Sequence, residues 1–339
     1  MNYKFICFLA ILIICFFLSF LKNQYFNKQI LSHDVEFYIQ SGASFDDVLI
    51  DLNNLFDSLD IVSKKLLPIF LKKKRIEYWF ESGRYIFKKT YSINDIINQL
   101  RSQVQSPVNI TFNSMDSIYS LFGIASRKLE LDSIDLVNYL DSTFISVDSL
   151  YFLAIPNTYE FFWDISPKFF FNRIIIEYES FWNQNRLSLA NNLNLSKEDV
   201  FILASIVDKE ASHVDEMAKI AGLYLNRLEK NWYLAADPTI IYIWKKEFNS
   251  SIRRVRNKHI NQTKYSKFNT YHNKGLPPLP ICIPSFQAIE SVLNAEKHDY
   301  MYMCARPDNS EYHNFAKYHF EHQRNAAAFH RWLNQRKIY

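Results

Sequence analysis

SKEDVFILASIVDKE, Ser196 to Glu210, is the most legible stretch of this 339-residue chain. Ser196 is a helix-capping residue, and Glu198 and Asp199 fall in the first turn, where acids oppose the positive end of a helix. Val200, Leu203, Ala204 and Val207 stand at i, i+3, i+4 and i+7 and form one apolar face. At about 100° per residue, Glu210 projects about 20° from Leu203, on the inward side, and Asp208 about 140° away, toward solvent. An inward acid at the end of an apolar stripe has two readings. It is a boundary carboxylate paired with Lys or Arg, or an acid whose pKa is raised by burial so that it donates a proton near neutral pH. Helical pattern alone leaves both open.

Working outward, Pro156 to Tyr159 reads as a turn or loop, and a helix is expected from Pro167 to about Asn185. Ser114 to Leu140 is helical in pattern and rich in Ser and Asp. Further upstream, Val35 to Gln40 alternates like a strand, and Ser44 caps a helix through Val48, Leu49, Leu52 and Leu55. A second periodic stretch covers Ile61 to Leu71, and Ile76 to Phe80 reads as a strand followed by a Ser82-Gly83 turn. Ser92 caps a helix to about Gln103, and Pro107 opens a strand from Val108 to Phe112. The pattern is a compact α+β module. Its Lys72-Lys73-Lys74-Arg75 run reads as a solvated face.

Composition narrows the function classes. With 48% apolar and 22% charged residues, the chain is neither disordered nor a coiled coil as a whole. Only 5 Gly occur, and no G-x-G-x-x-G or G-x-x-x-x-G-K-[ST] is present, which argues against a nucleotide-binding enzyme of the familiar α/β kinds. A net charge of +4 does not mark a nucleic-acid binder. Phe5 to Leu21, FICFLAILIICFFLSFL, has Ser19 as its one polar side chain and lacks an A-x-A cleavage pattern. It is expected to be an uncleaved membrane anchor of about 25 Å, flanked by Lys4 and Lys22. Cys282 and Cys304 permit a disulfide without requiring one, and neither spacing suits zinc. His319-x-x-His322 lacks the carboxylate that would complete a metal motif.

LASIVDKE (Leu203–Glu210), IAGLYLNRL (Ile220–Leu228) and ADPTIIY (Ala236–Tyr242) together closely resemble the endolytic murein transglycosylase family (MltG/YceG-like). So do Asn269-Thr270-Tyr271, Gly275 to Pro278, Ile281 to Pro284, Tyr300 to Tyr302, and His313 to Phe315 with Glu321-His322 behind them. The upstream PNTY of Pro156 to Tyr159 looks like the family's P-[DN]-T-Y element. Ala211 departs from a common Thr, and Tyr151-Phe152 from a common Glu-Gly. The resemblance runs from Pro156 to about Asn325.

It implies an α+β protein with a single N-terminal transmembrane helix (1–23), a small LysM-like α+β domain (34–112), a helical connector (113–155) and a larger α+β catalytic domain (156–339). The implied activity is that of a membrane-anchored lyase on the extracytoplasmic side of the cell (inner) membrane. It cuts the MurNAc–GlcNAc bonds of nascent peptidoglycan strands and leaves 1,6-anhydroMurNAc ends. The implied partners are glycan strands, the membrane and peptidoglycan synthases, with no nucleic acid. No cofactor and no metal is implied.

Hydrolytic glycosidases generally need two carboxylates, whereas here the sugar's own C6 hydroxyl attacks C1 and one acid serves both steps. By the resemblance, Glu210 is the general acid and then the base. Asp237, Thr239, Asn269, Tyr271, His313 and Glu321 are the substrate-binding or site-framing candidates. Two rivals stand beside this reading: a non-enzymatic anchored peptidoglycan-binding scaffold, and a hydrolase using Asp237 as its second acid.

Overall fold

A computed structural model describes residues 31–56, 61–143, 145–252 and 254–336, with residues 8–9, 11–16, 19–20, 27 and 29 of the leading segment. Of the expected anchor, Phe5 to Leu21, residues 8–9, 11–16 and 19–20 are described, as exposed helix, and the rest lie outside the described residues. Among the described residues no helix is long and apolar enough to cross a membrane.

Two compact units divide the chain. The first comprises residues up to Asn109, with Ser126–Leu131 and Glu160–Ser166. In it, β1 (Val35–Ile39) leads to α1 (Phe45–Leu55), α2 (Ile61–Lys73), β2 (Gly83–Phe87), α3 (Ile93–Ser102) and the start of β3 (Val108–Phe112). Ser44 and Asp47 close a capping box on α1, as Ser92 and Asp95 do on α3. β1 and β2 pair antiparallel, from Val35 opposite Phe87 to Ile39 opposite Gly83. Phe37, Ile39, Leu52, Leu67, Tyr85 and Ile97 meet in its core.

The strand expected at Ile76 to Phe80 is not there. Ile76–Tyr78 is a single 3₁₀ turn. Arg75 takes a left-handed conformation at φ 58°, which turns the chain sharply, and Ile76 is buried in the core and Phe80 packs on it while Tyr78 and Trp79 stay exposed. The strand begins instead at Gly83, whose φ of 132° suits glycine.

The second unit holds Ile110–Ala125, Asp132–Tyr159 and everything from Pro167 onward. Its elements include α4 (Ile118–Lys128), α5 (Ser133–Asp141), α6 (Val147–Leu153), β4 (Asn157–Phe161), α7 (Pro167–Phe181) and α8 (Gln184–Asn192). Then come α9 (Lys197–Glu210), α10 (Val214–Glu229), α11 (Asp237–Glu247), α12 (Asn257–Gln262), α13 (Phe286–Leu293), β5 (Tyr302–Ala305), β6 (His313–Ala316) and α14 (His319–Gln335).

Two expectations fail in this unit. Pro156 to Tyr159 enters a strand, β4, which pairs with β3. Tyr159 is buried, stacks on Phe112 at 5.0 Å, and its hydroxyl donates to the Ile155 carbonyl. Burial of that one ring, which a short polar motif does not announce, holds the segment extended. The helix from Pro167 stops at Phe181, because the Asn183 side chain caps a new helix.

Val200 to Val207 is buried without a break, so α9 is enclosed on every side through its middle and is not merely one-faced. It packs against α10 and α13. Ser205, also fully buried, donates to the Ile202 carbonyl and accepts the Ile281 N–H, so its hydroxyl is satisfied. Gly222 lets α10 approach the 296–298 segment closely. A Cβ there would fall 2.2 Å from the Glu296 carbonyl oxygen and 2.9 Å from His298 Nε2.

Candidate active site

The capping box of Ser196 and Asp199 starts α9, and Glu210 is its last residue. This end of a helix carries unpaired carbonyls and partial negative charge, which disfavours an ionised acid. Glu210 keeps a partial opening to solvent, yet protein surrounds its carboxyl closely. Burial pushes its pKa from 4.5 up to about 7, against an opposing hydrogen bond from Tyr224. Tyr224 on α10 donates its hydroxyl to Glu210 Oε1 at 2.7 Å. The charge of Asp237 adds to the rise, and those of His313 and Arg227 oppose it. An acid held near neutrality, with a fixed hydroxyl on one oxygen, can give up a proton and take one back at ordinary pH.

Asp237 opens α11 with Pro238 at its second position, and its Oδ1 accepts the Tyr271 hydroxyl at 2.5 Å. Burial raises its pKa, while the Tyr271 bond lowers it. The Tyr271 hydroxyl is pushed upward by burial and by the facing carboxylate, so it remains a donor. His313 stands on β6 with Nδ1 2.7 Å from Glu216 Oε2, and its main-chain N–H donates to Glu216 Oε1 at 2.9 Å. A carboxylate facing Nδ1 places the proton there and leaves Nε2 as the ring's other polar atom. Glu210, Asp237, Tyr271 and His313 therefore form one electrostatically connected group.

Other candidates are placed differently. Thr239 is fully buried, donates to the Ala236 carbonyl, and lies 2.9 Å from Thr270 Oγ1, so it offers no atom to a ligand. Asn269 is likewise buried. Its amide donates to Ile260 O and Thr263 Oγ1, and its oxygen accepts the Tyr271 main-chain N–H at 2.9 Å. It positions Tyr271, with its own polar atoms held inside the protein. Glu321 accepts the main-chain N–H groups of Lys317 and Tyr318, both at 3.2 Å, and caps α14.

Asp208 does not face open solvent as the helical wheel suggests. It accepts from Ser114 Oγ and from both the N–H and hydroxyl of Ser285, the residue that caps α13. The wheel gives a direction, but the start of α13 covers that side.

Tyr224, Arg227 and Glu216 were not among the sequence candidates. Tyr224 and Arg227 lie at i+4 and i+7 from Ile220 on the inward face of α10, polar groups set into an apolar stripe, which is a readable signal. Glu216 is 5% exposed, and its partner is 97 residues away, so no local pattern marks it. Arg227 donates to the carbonyls of Met301 and Leu234. Cys282 is buried and Cys304 half-buried, both free thiols. Among the described residues, no group of three His, Cys, Asp or Glu is placed to hold a metal ion.

Known proteins similar to this chain carry consistent names. It is 25% identical over 322 residues to the endolytic murein transglycosylase of Streptococcus pneumoniae serotype 2 (strain D39 / NCTC 7466), a match covering 86% of this chain and 58% of that protein. It is 32% identical over 135 residues to the endolytic murein transglycosylase of Bacillus subtilis (strain 168), covering 40% of this chain and 34% of the relative. This chain thus spans little more than half the length of the streptococcal relative. A solved yceG-like protein from Listeria monocytogenes shares the fold, with a TM-score of 0.53 at 20% identity over 86% of this chain and 98% of that one. A sequence model of the YceG-like family matches residues 37–328. That match reaches into both compact units and takes in every residue of the acid cluster, and by it the chain belongs to the YceG-like family.

Proposed function

We propose that this protein is an endolytic lytic transglycosylase that cleaves MurNAc–GlcNAc bonds in peptidoglycan strands, with Glu210 as its single acid–base group. The observation that carries the reading is Glu210 itself: an α9-terminal acid lifted to about 7 by burial and bonded to Tyr224. Protonated, it gives its proton to the glycosidic oxygen as that bond breaks. The carboxylate so formed keeps the Tyr224 hydrogen bond and feels the nearby positive charge of Arg227, and both lower the cost of its ionisation. It then takes the proton of the C6 hydroxyl as that oxygen closes on C1, giving a 1,6-anhydro ring without an attacking water.

Asp237 and Tyr271, the tyrosine's one proton held on Asp237 Oδ1, are read as acceptors for sugar hydroxyls. His313, oriented by Glu216, is placed to contribute through Nε2. The names of the streptococcal and Bacillus relatives support the reaction class. The unbroken apolarity of Phe5 to Leu21 supports a membrane anchor, and the names of the relatives support placing the rest of the chain outside the cytoplasm. The α+β module at 34–112 is read as LysM-like, and peptidoglycan synthases as candidate partners.

A second reading follows from the charge of Asp237 acting on Glu210, since two interacting carboxylates are the equipment of a hydrolase. The test is mass spectrometry of fragments released from purified peptidoglycan by the full chain and by Glu210→Gln. Anhydro ends from the wild type and none from the variant are expected, a loss of at least ~10²-fold. Reducing ends would establish hydrolysis, and no fragments at all a binding protein.

A further inference from the structure

A cavity of about 590 Å³ opens beside the two helix ends that carry the acid cluster. Lys209 and Pro238 in its wall are the chain neighbours of Glu210 and Asp237. Its floor is apolar and aromatic, with Ile241, Tyr151 and Tyr242. Its rim carries Lys209, Lys245 and Lys246. Lys209 and Lys245 both bond the one lining carboxylate, Asp116, at 2.8 and 2.6 Å. These two ammonium groups hold the Asp116 pKa down to about 2, so it stays charged. Lys246 hydrogen-bonds a neutral group, the Tyr242 hydroxyl, at 3.0 Å, and among the described residues no carboxylate. Among the described residues three cations thus share one lining anion, with the charges of Asp208 and Asp148 felt more distantly at Lys209 and Lys246.

We propose that this cavity takes the carboxylate-bearing peptide that hangs from the glycan, held by Lys245 and Lys246, and so selects peptide-bearing strands. The proposal rests on the glycan-cleaving function above. Size, walls and charge all favour this occupant. The volume is in the range of pockets that enclose drug-sized ligands, room for a dipeptide or more. Apolar and aromatic walls suit aliphatic side chains and would leave a phosphate poorly solvated. The positive excess is small and made of lysines, which act as point charges without the bidentate fork of Arg, and so matches one carboxylate better than a doubly charged phosphate.

Two measurements on the full chain test this. In the first, kcat/KM is compared for intact strands and for strands stripped of peptide by an amidase. Wild type is expected to prefer intact strands about tenfold. The Lys245→Ala/Lys246→Ala double variant should cut intact strands at the stripped-strand rate and leave stripped strands unaffected. Equal rates on both strands in the wild type, or an unchanged preference in the variant, overturn the proposal while leaving the lyase in place.

In the second, acetyl-L-alanyl-γ-D-glutamate is titrated calorimetrically into Glu210→Gln, which needs no turnover. Binding weakened at least tenfold by the two lysine substitutions is expected. No binding, binding indifferent to the lysines, or displacement by equimolar inorganic phosphate overturns the peptide assignment. If the wild type cuts neither strand, the functional reading fails, and the titration still decides the cavity.

Discussion

Glu210→Gln should make the protein more stable at alkaline pH while silencing it, and the size of the gain can be worked out. An unfolded Glu loses its proton near 4.5, whereas the folded one holds it until about 7. Between those values the folded state binds more protons than the unfolded one, so stability falls as pH rises through the window. The full loss, two and a half pH units at about 1.4 kcal/mol each, is about 3 kcal/mol above pH 7. Gln has no proton to lose, and its amide oxygen can still accept the Tyr224 hydroxyl. The variant should therefore match wild type at pH 4 and exceed it by up to about 3 kcal/mol at pH 8. For a unit of this size that corresponds to roughly 6–10 °C in melting temperature. Calorimetric or circular-dichroism melts of the pair at both pH values give the answer. An offset that does not change with pH, or a variant less stable at pH 8, would refute the idea that burial strains this acid.

Three further outcomes follow from the same packing. Tyr224→Phe removes a bond that lowers the Glu210 pKa, so the falling limb of kcat/KM should move to higher pH; a shift to lower pH would deny Tyr224 that role. Asp208→Asn should cost about 1–2 kcal/mol in urea denaturation, since the charge binding Ser114 and the Ser285 cap is lost, and an unchanged midpoint would show these bonds to be idle. Gly222→Ala improves helix propensity by about 1 kcal/mol but drives a methyl into the Glu296 carbonyl; net destabilisation of about 1–3 kcal/mol is expected, and a raised melting temperature would mean that the 296–298 segment yields freely.

What could be read in the sequence was what the chain decides locally. The capping boxes at Ser44, Ser92 and Ser196 need only a residue three places on, and each helix starts where its cap predicts. The inward aim of Glu210 followed from seven residues of helical geometry. Two failures are local, the left-handed Arg75 before the Ile76 turn and the Asn183 cap that ends the Pro167 helix, and the others involve partners far along the chain. Tyr159 extends its segment by stacking on Phe112, and Asp208 turns out engaged because Ser285 arrives to meet it. Thr239 and Asn269 look like ligand-binding polar residues in a motif, yet they saturate one another's neighbourhood: Thr270, Thr263, Ile260 and the Tyr271 backbone. A motif marks which residues matter to a site, and only packing distinguishes those that touch a substrate from those that hold the ones that do.

The way α10 grips the β5–β6 region bears on how such a protein can drift. Asn226 donates to the carbonyls of His298 and Tyr300, Arg227 to that of Met301, and Glu216 accepts the main-chain N–H of His313. Each of these holds reaches peptide groups, which every substitution except proline leaves in place. Away from its core-packed residues, the clasped hairpin is therefore free to exchange side chains over generations without moving, provided a few residues on one helix stay constant. Mutational scans should find the cost concentrated at Glu216, Asn226 and Arg227 and at the core-packed Tyr300, Met301 and Met303, and thin at the other positions of 299–305, an asymmetry in evolutionary freedom written into which partner supplies side chains and which supplies backbone.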